Sequence, residues 1–360
     1  MGDVRARDNN FDFLRIAAAL AVIIGHSFAL RGNPSSIPII GGLPIHVVGV
    51  DVFFVISGYL IMKSRLGRNT ALQFSVNRVL RIFPALIAVV IASIVVLGIL
   101  FSTLSNGQYF SEMGTWDYLW NILLRPAYAL PGVFTDLPYP VAVNGSVWTL
   151  PAEFFCYVVV LIIGFLPRRL ILPAVVALLL AASIGWLLLL RTGEPIVVWG
   201  TLLNEATRLW VFFAVGSLIA AFSRPGFFRL DIAVLASVLW LTLPSLRADP
   251  TVVSWALTPY IVLTFGLAST PVLRRSARYG DLSYGLYLYA FPVQQAVIAT
   301  IGIIPGALNL VLVTGVTAAL AVGSWHLIEK RAMALRFRIG GGRVSPVPTV
   351  VEDAPAQPTR

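Results

Sequence analysis

The 360-residue sequence predicts an all-α, polytopic integral membrane protein of about ten transmembrane helices with both termini in the cytoplasm. Three observations carry that expectation. The chain is 58% hydrophobic and only 12% charged, with a mean hydropathy of +0.86, where a soluble domain carries roughly 25% charged residues. Apolar stretches close to the ~20 residues that cross a bilayer recur along it. Its basic residues also gather in alternate loops, as the positive-inside rule requires.

The apolar segments run approximately over 11–30, 45–62, 78–104, 146–166, 170–190, 205–222, 230–246, 251–270, 283–303 and 306–328. With the N-terminus inside, Arg5, Arg7, Lys63, Arg65, Arg68, Arg168, Arg169, Arg224 and Arg229 fall on the cytoplasmic side. So do Arg274, Arg275, Arg278, Lys330, Arg331, Arg336, Arg338 and Arg343, whereas the outer loops hold only Arg31, Arg125, Arg191 and Arg247. The net charge of +10 is then a topology signal with some attraction to lipid headgroups, so the expected partner is the bilayer and not nucleic acid. Residues 1–10 read as a cytoplasmic N-terminus, 11–330 as one membrane domain, and 331–360 as a basic, then Pro/Gly-rich cytoplasmic tail without order. The first segment reads as a retained helix, because it lacks a small-residue cleavage pattern and carries Arg15 and His26. In the outer connection, about 105–145, Trp116, Tyr118, Trp120, Tyr128 and Tyr139 fit an interface belt or sugar stacking, the belt being the simpler reading. The one cysteine, Cys156, lies in an apolar run and reads as a packed thiol.

Charged groups within lipid are costly and mark candidate sites. Arg15 and His26 return to nearly the same face of the first helix, roughly 16 Å apart along its axis. Arg15 is therefore near the inner surface and His26 near the outer. On that helix alone, a snorkelling arginine and a histidine bonded to a carbonyl explain them equally well. Asp12, three residues before Arg15, is placed to pair with it. Arg78 and Arg81 point to similar sides at the cytoplasmic end of the third segment, and such a pair of guanidinium forks suits a phosphate, although on composition alone flanking charge is the simpler reading. Glu153, in NGSVWTLPAEFFCY, enters from the outer side and needs a partner on another helix or a wet cavity. Asp51 enters from the same side, and Glu205 and Arg208 suit a structural i,i+3 pair. His46 and His326 read as interfacial. No metal-binding or nucleotide-binding pattern is present, and no permanently bound cofactor is expected.

These residues, taken in order, resemble the membrane acyltransferase 3 family. FDFLRIAAALAVIIGH is similar to its first-helix signature of an Arg followed by a His, GVDVFFVISGYLI to its second-helix block, and NRVLRIFPAL to its Arg-x-x-Arg block. NGSVWTLPAEFFCY resembles its tryptophan-to-glutamate block, YGDLSYGLYLYAFPVQ its tyrosine-rich ninth helix, and IEKR the end of its tenth. The resemblance covers residues 8–331, with one departure: many members carry His where this chain has Ala290, so no chemistry is assigned there. The chain is too short for the added extracytoplasmic esterase-like (SGNH) domain of some members.

The resemblance implies acyl-CoA, in the first instance acetyl-CoA, as co-substrate and a hydroxyl of a carbohydrate or glycoconjugate as acceptor, in a bacterial inner (plasma) membrane. On that reading Arg15, Arg78 and Arg81 bind the donor, His26 acts as base or acyl carrier, and Glu153 orients or charge-balances it. Asp12, Asp51, Trp148, Tyr284 and Glu329 are supporting candidates. The alternatives are a membrane exporter of a glycan or small molecule, or an acyltransferase acting on a macrolide or lipid.

Overall fold

The computed structural model describes residues 9–67, 69–192, 194–224 and 226–336, so most of the expected N-terminal segment and tail lies outside the described residues. Each apolar segment folds as a helix. These are α1 (Phe11–Leu30), α2 (Ile45–Leu66), α3 (Ala71–Phe101), α4 (Thr149–Ile163) and α5 (Arg168–Thr192). They continue as α6 (Leu203–Phe222), α7 (Leu230–Thr242), α8 (Pro250–Leu267), α9 (Ser283–Ile301) and α10 (Gly306–Ala334). Among the described residues, eight helices are long and apolar enough to cross a membrane: α1–α3, α5, α6, α8, α10, and α4 with the 3₁₀ turn Gly145–Trp148 before it. The other two segments differ for local reasons. Leu230–Leu246 is shorter, while α9 interrupts its apolar run with Tyr284, Tyr287, Tyr289, Gln294 and Gln295.

Side-chain chemistry sets the ends. Thr70 opens α3 with a capping box in which its side chain accepts from Gln73 N and Gln73 returns a bond to the Thr70 backbone. Further along, α3 passes through a π-turn at Ser93–Leu97, and α10 does the same at Trp325–Glu329. Asp249 caps α8 by accepting from Thr251 N and Val252 N. Small antiparallel ribbons, Ile39–Ile40 with Leu43–Pro44 and Val197–Val198 with Thr201–Leu202, lead into α2 and α6.

The core lies among α2, α3, α4 and α6, where Phe54, Val55, Leu86, Val160, Phe212 and Phe213 are buried together. The α2–α6 crossing brings backbones into contact: a methyl on Gly58 would strike the Phe213 carbonyl, one on Gly216 the Val55 carbonyl, and Ser217 Oγ donates to Gly58 O at 3.1 Å. α1 and α9 run parallel and in step. Arg15 meets Asp281 just before α9, Gln294 Nε2 donates to Ile23 O at 2.8 Å, and Arg31 Nη2 donates to Ile304 O at 2.8 Å. In the 105–145 connection, Trp116, Trp120, Tyr128 and Tyr139 are exposed, as a belt requires. Tyr118 departs from that expectation. It is buried at 1% exposure in the main core, because the 3₁₀ turn Tyr118–Leu123 packs against α3.

Candidate active site

A cavity lies between α1, α2, α3, α4 and α9. Its inner end, so called for the side on which α1 and α9 begin, carries Arg15 and Arg81, its walls carry Phe53, Phe54 and Leu150, and its polar side carries Ser57, Glu153, Tyr157, Thr149 and Tyr287. The helices deliver these groups through ordinary periodicity. Glu153 and Tyr157 are one turn apart on α4, Ser57 faces them from α2, and Tyr284 and Tyr287 share a face of α9.

Glu153 is held firmly. Ser57 Oγ donates to its Oε1 at 2.9 Å, and the Tyr157 hydroxyl donates to the same oxygen. The expected partner on another helix is thus Ser57, in a chamber shared with two arginines. At the outer end, the Tyr287 hydroxyl donates to Ser146 O at 2.8 Å and lies 2.7 Å from Thr149 Oγ1.

Around the inner end, charges form a network. Arg15 Nη1 is 3.0 Å from Asp281 Oδ2, and Arg81 Nη2 is 2.7 Å from the same oxygen. Arg81 Nη1 also lies 3.5 Å from Glu329 Oε2, and both Arg81 contacts are at ion-pair distance without hydrogen-bond alignment. Glu329 Oε1 accepts from Ser324 Oγ at 3.1 Å. The ring of Tyr284 lies 5.4 Å from the Arg81 guanidinium, and its hydroxyl donates to Ile82 O at 3.0 Å. Burial would push the Asp281 carboxyl up, but the Arg15 and Arg81 guanidiniums outweigh it and hold the group well below the usual carboxylate range. Arg15 thus pairs across to Asp281, which arrives at the same level just before the neighbouring parallel helix. Arg78 sits to one side, its guanidinium 5.8 Å from the Tyr157 ring centre and its Nε buried without a hydrogen bond.

His26 lies beyond the cavity's outer end. It is not among the lining residues, and its neighbours are the His46 ring at 5.6 Å and the Phe291 ring, edge-on at 5.3 Å. Phe291 stands one turn from Tyr287, which does line the cavity. Gly25 makes the pairing of the histidines possible, because a methyl there would sit 2.6 Å from the His46 ring. No carbonyl bonds His26 Nδ1: it is buried without a hydrogen-bond partner, as is His46 Nδ1.

The remaining candidates are structural in placement. Asp51, 0% exposed, receives Arg208 Nη1 at 2.6 Å, while Arg208 Nε donates to Glu205 at 3.1 Å, so the expected i,i+3 pair forms and recruits Asp51. Trp148 packs against the core just before α4, and its carbonyl accepts from Thr201 Oγ1 at 3.5 Å. Cys156 is buried. His326 is exposed, with Nδ1 2.9 Å from Val322 O. Asp281 is the residue that spacing does not reveal. Its signal in the sequence is an acid set in YGDLSYG beside a helix start, on a chain with four intramembrane arginines to neutralise.

A family model described as an acyltransferase domain matches residues 8–328. The chain is 29% identical to the O-acetyl transferase of Shigella phage Sf6, an alignment over 339 residues that covers 90% of this chain and 96% of that one. It is 28% identical to nodulation protein 10 of Rhizobium leguminosarum bv. viciae, with 94% of this chain and 96% of that one covered. No solved structure matches. With its many apolar helices and a family match that spans nearly all of them, this multi-pass membrane protein belongs to the acyltransferase 3 family and is an acyltransferase for groups other than aminoacyl groups.

Proposed function

We propose that the protein moves an acyl group, acetyl in the first instance, from acyl-CoA to a hydroxyl of a carbohydrate or glycoconjugate. In this reading it crosses a bacterial inner membrane ten times, with both termini cytoplasmic and the donor entering from that side. The observation that carries the chemistry is the His26 imidazole. It packs edge-on against Phe291, one turn of α9 from the cavity-lining Tyr287, so a group able to take a proton or carry an acyl stands beside the chamber.

The donor's phosphates meet Arg15 and Arg81 at the inner end, with Arg78 flanking them. The pantetheine arm passes between Phe53, Phe54 and Leu150, along a wall whose polar side presents Glu153. The thioester then approaches the layer of Tyr287 and Phe291, beyond which His26 waits. As a base, His26 takes the acceptor's hydroxyl proton. The hydroxyl oxygen bonds to the thioester carbonyl carbon, the C–S bond breaks, and the departing thiolate takes up a proton. As a carrier, the imidazole nitrogen attacks first, releases CoA, and passes the acyl group to the hydroxyl in a second step. Acyl-CoA is a co-substrate in both schemes. Glu153 keeps its bonds to Ser57 and Tyr157 and contributes negative charge beside the arginines.

Purified protein incubated with radiolabelled acetyl-CoA and a panel of glycans should transfer label to a glycan. His26→Gln, which keeps size but cannot take a proton, should lose roughly 10²–10⁴-fold in rate while still binding CoA. Label transfer at a near-normal rate in His26→Gln would remove the histidine from the chemistry. A wild-type protein that transfers nothing to any glycan would remove the carbohydrate acceptor from the reading.

A further inference from the structure

Arg15 and Arg81 both face the cavity, yet they come from different helices and repel one another. A carboxylate from a third element holds them together. Asp281, two residues before α9, places Oδ2 3.0 Å from Arg15 Nη1 and 2.7 Å from Arg81 Nη2. Its Oδ1 accepts from Ser283 Oγ at 2.8 Å, which fixes the direction in which Oδ2 points. Asp281 and Glu329 are not among the residues lining the cavity, so both carboxylates grip the guanidiniums from behind and leave their cavity faces open.

We propose that Asp281 is a positioning residue of the donor site, clamping Arg15 of α1 and Arg81 of α3 at one separation so that they present a paired cationic face to the phosphates of acyl-CoA. The proposal rests on the donor reading above. It opposes a second role that the same contacts would allow, in which Asp281 occupies the arginines as a competitor that phosphate must displace. The two roles differ in sign. Removing a clamp loosens CoA binding, and removing a competitor tightens it.

CoA binding by isothermal titration calorimetry on the full chain in detergent separates them. Asp281→Asn is expected to raise the CoA Kd about tenfold or more, because the two guanidiniums lose the charge they share and the direction it fixes. Asp281→Glu, which restores the charge, should recover part of the loss. Ser283→Ala, which keeps the carboxylate but frees its aim, should weaken CoA about threefold, and it carries the test if Asp281→Asn fails to fold. CoA bound by Asp281→Asn as tightly as by wild type, or more tightly, would overturn the clamp. So would an unchanged Kd in Ser283→Ala, or an Asp281→Glu variant no better than Asp281→Asn. Wild-type protein that binds no CoA would sink the donor reading itself and the clamp with it, an outcome distinct from normal wild-type binding with undiminished variants.

Discussion

The arginines are not equivalent. Arg81 lines the cavity and carries two ion-pair partners outside its lining, whereas Arg78 lies over the Tyr157 ring and is not among the lining residues. Arg81→Ala should therefore weaken CoA binding by about 1.5–3 kcal/mol, roughly ten- to more than a hundredfold, and Arg78→Ala by clearly less. Calorimetry on both variants, with thermal unfolding as a control for insertion and folding, checks the order. Equal losses would mean that the cavity does not select Arg81 for the donor. At this scale the sequence shows residue types better than their partners. The arginines, Glu153 and His26 are legible because charge and imidazole within apolar runs are conspicuous. Asp281 is not, since the Arg15–Asp281 pair joins residues 266 apart and no local spacing signals it. The orphaned His26 nitrogen is equally illegible, because it depends on which rings α2 and α9 bring against it.

Between elements, packing and charge are tied at the α2–α6 crossing. Gly58 and Gly216 allow the close approach, and the Asp51–Arg208 pair is sealed in the same interface, with Arg208 only 7% exposed. Breaking a buried pair from one side leaves an uncompensated charge, so Asp51→Leu or Arg208→Met alone should each destabilise by about 3–5 kcal/mol. The double variant replaces both with apolar groups and should regain much of that loss. Thermal unfolding in detergent reads all three. A double variant as unstable as the sum of the singles would show that the pair is not what the interface depends on. If the double variant also keeps its CoA affinity, Asp51 serves the fold and not the donor. Helix existence is legible here from apolar length alone, whereas the α2–α6 partnership is not: Gly58 and Gly216 are unremarkable until their backbones meet.

For the whole molecule, the charge cluster constrains topology. Arg15 lies in the first turns of α1, Arg81 in the N-terminal half of α3, Asp281 just before α9, and Glu329 near the end of α10, yet they form one network. The starts of α1, α3 and α9 and the end of α10 therefore share a side, which requires an even number of crossings between α1 and α9. Eight helices, α1–α8, each crossing once satisfy that parity, the shorter α7 included. The parallel register of α1 with α9 and of α2 with α6 follows the same rule. If α7 only dipped into the bilayer, seven crossings would separate Arg15 from Asp281 and pull their 3.0 Å contact to opposite faces. In the proposed topology the shared side is the cytoplasmic one, the side that the basic-loop asymmetry favours. Reporter fusions after Gly107 and after Arg247 should accordingly report outside, and fusions after Arg169 and Arg275 inside. The Arg247 and Arg275 pair decides most, because it brackets α8 alone and follows α7 directly. Finding Arg247 on the same side as Arg169 would mean that α7 does not cross. The parity holding the charge cluster together would then fail, and with it the proposed assignment of that cluster to cytoplasmic acyl-CoA.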